Sequence, residues 1–306
     1  MRLKIFMTIP VLASLACGCD MGAPDPITSG YMYEDTIKLV RLVEDAAAVI
    51  EKRGTEAFKE FGVRDSRWFN NHLYLFVYTP SGVNLFHPVS PDFVGKNLID
   101  LKDVDGSPVI RELVDVANIP GREPHKWVFY NWEERTQFQP VWKSAYVRKA
   151  IAPDGTVMVV GSGLNNLKVE KVFVVDKVTQ AARLLQTGGK ERAFKEILDP
   201  ASEYHFLGTH ILVFDSQGRT VVYPVFPTLI GRDLSGFKDV IGRPVIREII
   251  GKLSKSDEAW VQFLWPRLGS FLPQRKLFYS RKVKVGDEVF YLGADFHVEA
   301  PIWMNM

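Results

Sequence analysis

The chain has little cysteine, no excess of charge of either sign and no long hydrophobic run. Its two cysteines, Cys17 and Cys19, both lie near the start, so no disulfide can cross-link the remainder of the 306 residues. Thirty-eight basic side chains against 36 acidic ones leave a formal charge of +2. A chain this close to neutral lacks the bulk electrostatic attraction needed to bind nucleic acid or anionic lipid. The composition therefore excludes a polybasic binder, a multipass membrane protein and a disulfide-stapled scaffold.

The first twenty residues are typical of an export signal. Arg2 and Lys4 precede the apolar run Ile5–Ala16. This run is shorter than the ~20 residues that a membrane helix needs, but its length suits the core of a signal peptide. Small residues precede both cysteines, and this pattern resembles the bacterial lipoprotein signal, in which a lipidated cysteine becomes the mature N-terminus. Cys19 is the better candidate because Gly18 stands directly before it.

We therefore predict a lipoprotein-type signal peptide over residues 1–18, lipidation of Cys19 and a tether over residues 19–32. Lipidation of Cys17 is an alternative, and so is an ordinary cleaved signal with two incidental cysteines. Each interpretation implies export, to the bacterial periplasm or the cell surface, and under either lipidation a lipid anchor is the only membrane attachment. A body without cysteine fits an oxidising compartment.

The rest of the chain contains an internal repeat. A shift of 136 residues lays Leu75–Val114 over Ile211–Ile250 without a gap, and 16 of these 40 positions are identical. After a loss of three residues the match resumes, so that Trp127 and Lys143 fall on Trp260 and Lys276. We predict two copies of one domain, over residues 33–170 and 171–301, each with its own core.

Periodicity predicts the elements of one copy. Apolar residues recur every three or four positions in Thr36–Lys52, which indicates an amphipathic helix. A second helix is predicted from Ser107, as N-cap, with Pro108 in the first turn. The predicted strands are His72–Thr79, Gly82–Pro88, Lys126–Glu133, Val141–Ile151 and Thr156–Gly163. The order repeats from a helix at Val174. The predicted class is α+β, with a five-stranded antiparallel sheet, a long N-terminal helix and flanking helices in each copy.

The order of short motifs resembles the Cache sensor domains of bacterial chemoreceptors and sensor kinases. The resemblance rests on the run from Leu75 to Pro108, on Trp127–Trp132 and on the later Lys143 and Tyr146, and it recurs in the second copy. It implies two tandem single-Cache domains with a PAS-like fold outside the membrane. Cache domains usually sit between membrane helices joined to a cytoplasmic signalling region, and this sequence shows neither.

The resemblance implies a sensory role and a small ligand. We expect an extracytoplasmic protein that binds a short organic acid, amide or amino acid and signals through a separate membrane partner, such as a chemoreceptor of a chemotaxis pathway or a kinase. The alternative is a solute-binding lipoprotein that delivers its cargo to a transporter. We do not expect an enzyme, a cofactor or a nucleic-acid partner. No segment of the sequence matches the complete pattern of a catalytic-nucleophile, dinucleotide-binding or metal-binding motif.

The candidate ligand-binding residues are aromatic walls, phenolic donors and cations, which suit a small organic acid. They are His87, Tyr130, Trp132, Lys143 and Tyr146 in the first copy, and Tyr223, Phe263, Trp265, Lys276 and Tyr279 in the second. Core packing remains an alternative for the aromatic residues, and a surface charge remains one for the lysines. Lys143 and Tyr146 are three residues apart, so a regular strand would direct them to opposite faces.

Overall fold

The computed structural model describes residues 25–70, 73–121, 124–133, 138–266 and 271–298. The predicted signal peptide and both cysteines lie outside these ranges, as do tether residues 19–24. Within the described ranges, no helix is both long and apolar enough to span a bilayer.

The first unit is an antiparallel sheet with helices on both faces. Its helices are α1 (Glu34–Arg53), α2 (Ala57–Phe61) and α3 (Val109–Val114). Its strands are β1 (Phe69–Asn70), β2 (Leu73–Tyr78), β3 (Asn84–Phe86), β4 (His125–Trp132), β5 (Val141–Ile151) and β6 (Val157–Asn165). The order is β1-β2-β6-β5-β4, with β3 also paired to β2. The sheet therefore has six strands, because the short β1 extends it beyond the five predicted.

The second unit repeats this arrangement. Its helices are α4 (Lys171–Gly188), α5 (Lys190–Leu198) and α6 (Val245–Leu253). Its strands are β7 (His205–Phe206), β8 (Thr209–His210), β9 (Leu212–Asp215), β10 (Thr220–Val222), β11 (Glu258–Pro266), β12 (Pro273–Val285) and β13 (Glu288–His297). The five-stranded order β10-β9-β13-β12-β11 corresponds strand for strand to β3-β2-β6-β5-β4. The α+β class and the long N-terminal helix are confirmed.

The long helix α1 forms where its apolar spacing predicts. Leu39, Val43 and Ile50 lie on one face and are fully buried against β5 and β6. Acidic residues in the first turn and basic residues in the last turn complement the helix dipole. The helix ends at Gly54, whose φ of 58° is a left-handed value that glycine adopts at little cost.

The predicted N-cap at Ser107 is wrong. Helix α3 begins at Val109, and Pro108 with ψ of 77° is the non-helical residue before it, so Ser107 stands outside the helix. The side chain that organises this turn is Asp103, whose carboxylate accepts hydrogen bonds from the backbone N–H groups of Asp105, Ser107 and Asn131.

Asp239 holds the matching turn of the second unit. Its carboxylate accepts from the backbone N–H groups of Ile241, Arg243 and Leu264. The sequence repeat therefore preserves a hydrogen-bonded turn before the short helix of each unit. The turn joins that helix to the strand beside it, because the third donor belongs to β4 in one unit and to β11 in the other.

The two units meet through one apolar cluster. Phe129 of β4 packs against Phe173 of α4, with ring centroids 5.0 Å apart, and against Phe206 of β7 at 5.5 Å. The buried carboxylate of Glu170 accepts hydrogen bonds from the backbone N–H groups of Met32 and Tyr33 at 2.8 and 2.9 Å. The segments that lead into α1 and α4 are therefore tied to each other.

Gly161 of β6 is required by close packing within the first sheet. A Cβ atom at this position would lie 2.6 Å from the side chains of Phe76 and Val147. We expect Gly161→Ala to lower the free energy of unfolding by about 1–3 kcal/mol, because a well-packed core does not accept an added methyl group without displacement. Urea denaturation measures this change. Gly236→Ala is the control, because a Cβ atom there meets open space, and an equal loss in both variants would contradict the packing argument.

Candidate functional site

The central strand of each sheet sends its side chains alternately to two different faces. Strand β5 pairs with β4 and β6 in unbroken register, and Lys143 has the same parity as Ala145 and Val147, which pack in the cluster around α3. Tyr146 has the opposite parity and packs in the cluster around α1. No bulge brings Lys143 and Tyr146 to one face, so strand parity separates two of the predicted site residues.

The first unit gathers a lysine, a tyrosine and a histidine on the α3 face. The Lys143 ammonium donates to the Tyr74 hydroxyl at 3.0 Å, and the Tyr74 ring lies 5.3 Å from that of His87. The His87 Nδ1 atom accepts a hydrogen bond from the backbone N–H of Ser90 at 2.9 Å. Burial, assisted by the nearby Lys143 charge, lowers the pKa of His87 to about 4, so this ring is neutral near pH 7.

Tyr130 and Trp132 stand on the same face beside this group. Tyr130 lies directly opposite Lys143 in the pairing of β4 with β5, and its ring centroid is 5.8 Å from that of Trp132. Burial raises the pKa of Tyr130, so its phenol is a neutral hydrogen-bonding group near pH 7. The structure therefore brings four of the five predicted residues of this copy to one face: His87, Tyr130, Trp132 and Lys143.

The second unit has two adjoining cavities on the corresponding face. The inner cavity, about 240 Å³, is lined mainly by apolar side chains of α6 and the sheet, including Phe263 and Phe278. The outer cavity, about 530 Å³, is more polar. It is lined by second-unit residues that include His210 and Thr209, and also by Tyr33 and residues 166–169 of the first unit. Five side chains line both cavities: Tyr223, Phe226, Trp265, Lys276 and Asp295.

An ion pair marks the boundary between the two cavities. The Lys276 ammonium donates to the Asp295 carboxylate at 2.8 Å, and each of the two side chains is about one-fifth exposed. Lys276 lies opposite Phe263 in the pairing of β12 with β11, as Lys143 lies opposite Tyr130. A cation and an anion therefore stand together where an apolar space opens into a polar one.

His210 and Tyr223 flank the ion pair as neutral groups. Their rings are stacked with centroids 5.8 Å apart. Burial lowers the pKa of His210 to about 4, although the Asp295 charge opposes this shift, and burial raises the pKa of Tyr223 to about 12. Both side chains are therefore uncharged hydrogen-bonding groups near neutral pH.

Tyr146 and Tyr279 lie away from these groups, on the faces covered by α1 and α4. The Tyr146 hydroxyl donates to Glu44 at 2.6 Å, and the Tyr279 hydroxyl donates to Glu258 at 2.6 Å. The structure does not bring either tyrosine to the cavities or to the Lys143 cluster. Their hydrogen bonds fasten the central strands to neighbouring elements instead.

Among the site residues that were not predicted from the sequence are three polar ones, Tyr74, His210 and Asp295. Tyr74 and His87 of the first unit correspond to His210 and Tyr223 of the second, so the two ring types exchange places between copies. Asp295 was detectable as a carboxylate within the apolar run Phe290–Phe296. Its position next to Lys276 depends on the pairing of β13 with β12, which the sequence repeat does not specify.

Comparison with known protein families identifies the family to which this chain belongs. A model described as a Cache domain matches residues 62–287, well over half of the chain. The chain belongs to the Cache domain family. The two sheet faces that carry a lysine are therefore features of a Cache protein. Cache domains are extracellular sensor domains of the kind found in chemoreceptors.

Solved structures similar to this Cache chain come from sensory proteins. A periplasmic sensor domain of a chemotaxis protein is 24% identical, with a TM-score of 0.33 over 41% of this chain and 88% of that one. A methyl-accepting chemotaxis protein from Vibrio parahaemolyticus is 23% identical, with a TM-score of 0.34 over 43% and 88%. A Cache chemosensory domain described as recognising carboxylic acid is 22% identical, with a TM-score of 0.33 over 40% and 85%. Likeness at this level does not extend to the ligand.

Acid should weaken the fold through His87. The folded protein binds this proton less readily than the unfolded chain, so stability is lost as the pH falls from about 6.5 toward about 4. We expect His87→Gln to reduce this loss relative to the wild type. His210 contributes in the same direction, whereas Glu112, whose pKa burial raises to about 7, contributes in the opposite direction and is common to both proteins. Urea denaturation between pH 7.5 and 4.5 measures the slope. An assigned His87 ring resonance that titrates near pH 6.5 in the folded protein would contradict the account.

Proposed function

We propose that this Cache protein is an extracytoplasmic small-molecule sensor made of two units, residues 33–170 and 171–301. It binds a short organic acid, amide or amino acid and signals through a separate membrane partner, a chemoreceptor or a kinase. Membership of the Cache family supports the sensory role, and the cavities of the second unit support binding of a small molecule. The proposed role is binding without catalysis, and turnover of a bound compound by the purified protein would contradict it.

The observation that carries the proposal is the Lys276–Asp295 pair, which lines both the apolar inner cavity and the polar outer cavity. An ammonium group suits a ligand carboxylate, and a carboxylate suits a ligand ammonium group. The 240 Å³ inner cavity provides an apolar space for a side chain of several carbon atoms. Among the three ligand classes, this arrangement favours an amino acid with an apolar side chain.

A matched ligand series tests this choice. We expect an apolar amino acid to raise the melting temperature of the purified protein, because a ligand that binds only the folded state stabilises it. The carboxylic acid that lacks the ammonium group, and the amine that lacks the carboxylate, should each stabilise less, because one partner of the ion pair is then left unmatched. Thermal-shift measurement compares the three compounds at equal concentration. No stabilisation by amino acids, organic acids or amides would refute the proposal.

Variants locate the binding unit in the same assay. Lys276→Gln should weaken amino-acid binding about tenfold to a hundredfold, as expected for loss of a charge-assisted hydrogen bond. The double variant Lys276→Gln with Asp295→Asn keeps the shape while removing both charges, and separates a folding defect from a binding defect. Lys143→Gln is the matched control in the first unit. Binding that survives Lys276→Gln and is lost in Lys143→Gln would assign the ligand to the first unit instead.

A lipid anchor at Cys19 is the second element of the proposal. Its support is the order of basic residues, apolar run and small residues before the cysteine. In bacterial cells, we expect metabolic labelling with a fatty-acid analogue to mark the wild-type protein, and Cys19→Ala to abolish the label and release the protein from the membrane fraction. Cys17→Ala is the matched control. Label retained in Cys19→Ala and lost in Cys17→Ala would assign the lipid to Cys17.

A further inference from the structure

A basic groove lies in the second unit, away from the ligand cavities. It has a volume of about 490 Å³ and lies where α4 passes the end of β12, lined by residues that include Arg183, Arg281, Lys282 and Lys284. Lys282 is six residues along β12 from Lys276, a separation of about 20 Å in an extended strand. The groove is therefore distinct from the proposed amino-acid site.

The corresponding place in the first unit is neutral. Buried positions of α1 and α4 coincide at an offset of 135 residues, since Leu39, Val43, Ala46 and Ile50 match Val174, Val178, Ala181 and Leu185. In the first unit, two carboxylates neutralise Arg148: those of Glu44 and Glu51. At this offset, the corresponding residues of the second unit are Thr179 and Gln186. Arg281, which corresponds to Arg148, therefore has an uncharged partner on its helix, and its guanidinium donates to the Thr179 hydroxyl at 3.2 Å.

Two further substitutions add positive charge. Ala48 of the first unit corresponds to Arg183, and Ile151 corresponds to Lys284. The groove and its border hold four cations (Arg183, Arg281, Lys282 and Lys284) and two carboxylates (Asp257 and Glu258), a formal charge of +2. The matched positions of the first unit hold two cations, Arg148 and Lys149, and two carboxylates, Glu44 and Glu51, a formal charge of zero.

Within the described ranges, the two cations that have no counterpart in the first unit, Arg183 and Lys284, do not stabilise the fold through an ion pair. Lys282 bonds to Asp257 at 2.9 Å, and Arg281 lies 3.9 Å from Glu258. By contrast, the guanidinium of Arg183 and the ammonium of Lys284 form no hydrogen bond or ion pair within the part of the chain that the structure describes. Like charges close together destabilise a surface unless an anion joins them.

We propose that this groove binds a phosphate group, from a soluble phosphorylated compound or from the headgroup of an anionic phospholipid. A phosphate monoester carries close to two negative charges near neutral pH, which matches the excess in the groove, whereas the diester phosphate of a phospholipid headgroup carries one. Arginine forks and lysine ammonium groups are the usual protein partners of phosphate, and the Thr179 hydroxyl and Gln186 amide supply neutral donors at the same place. The site gives the second unit an anion-responsive surface that the first unit lacks.

The probes are inorganic phosphate, pyrophosphate, and vesicles of phosphatidylglycerol or phosphatidylcholine, at constant ionic strength. We expect calorimetry to detect pyrophosphate binding, or flotation to detect binding to phosphatidylglycerol vesicles and not to phosphatidylcholine vesicles. The double variant Arg183→Gln with Lys284→Gln should weaken that binding at least tenfold, because it removes the two unpaired cations. Pyrophosphate binding assigns a soluble source, and vesicle binding alone assigns the headgroup.

The control is the double variant Lys52→Gln with Lys195→Gln, which removes two exposed cations outside the groove. It loses the same formal charge, so it measures the contribution of net charge alone. Absence of binding to every probe, or an equal loss of binding in both double variants, would overturn the proposal. Amino-acid binding in the thermal-shift assay is expected to survive Arg183→Gln with Lys284→Gln, so failure of the groove and failure of the ligand cavity are separate results.

Discussion

The alternation of side chains along the central strands β5 and β12 is the constraint on which the rest of the structure depends. Successive residues of a regular strand point to opposite faces, so Lys143 and Lys276 project to one side while Tyr146 and Tyr279 project to the other. One face of each sheet is then closed by a long helix, α1 or α4, and forms the core shared by both units. The other face carries the polar groups that can meet a ligand.

The duplicated frame carries different chemistry in its two copies. Strand order, the aspartate-held turn and the position of the lysine are common to both units. At the ligand face the tyrosine and histidine exchange places, and Gly163 of the first unit corresponds to Asp295 of the second. An ion pair between the lysine and the strand beside it is therefore possible only in the second unit. The two copies have the same fold but are not expected to bind the same molecule.

Much of the fold could be predicted from the sequence, because its signals are local or repeated. The apolar spacing of α1 depends on residues close together in the chain, and the 136-residue repeat depends on two matching segments. Strand parity likewise predicted that Lys143 and Tyr146 would separate. The start of α3 was misplaced because the backbone at Pro108 is non-helical, and the interactions of Asp103 with distant N–H groups replace the expected cap.

The candidate site was less predictable, since its partners come from separate strands. Asp295 reaches Lys276 through the pairing of β13 with β12, and His210 reaches Tyr223 across neighbouring segments. No spacing along the chain encodes these contacts. The basic groove was missed although three of its cations lie within Arg281–Lys284, because Arg183 joins them only through the packing of α4 against β12.

The most direct test of the central claim is a crystal structure of the protein grown with the apolar amino acid that stabilises it most. The account predicts electron density for the ligand on the α6 face of the second unit, with its carboxylate at Lys276, its ammonium group at Asp295 and its side chain in the inner cavity. Density on the α4 face beside Tyr279, or in the first unit with the second unit empty, would contradict it.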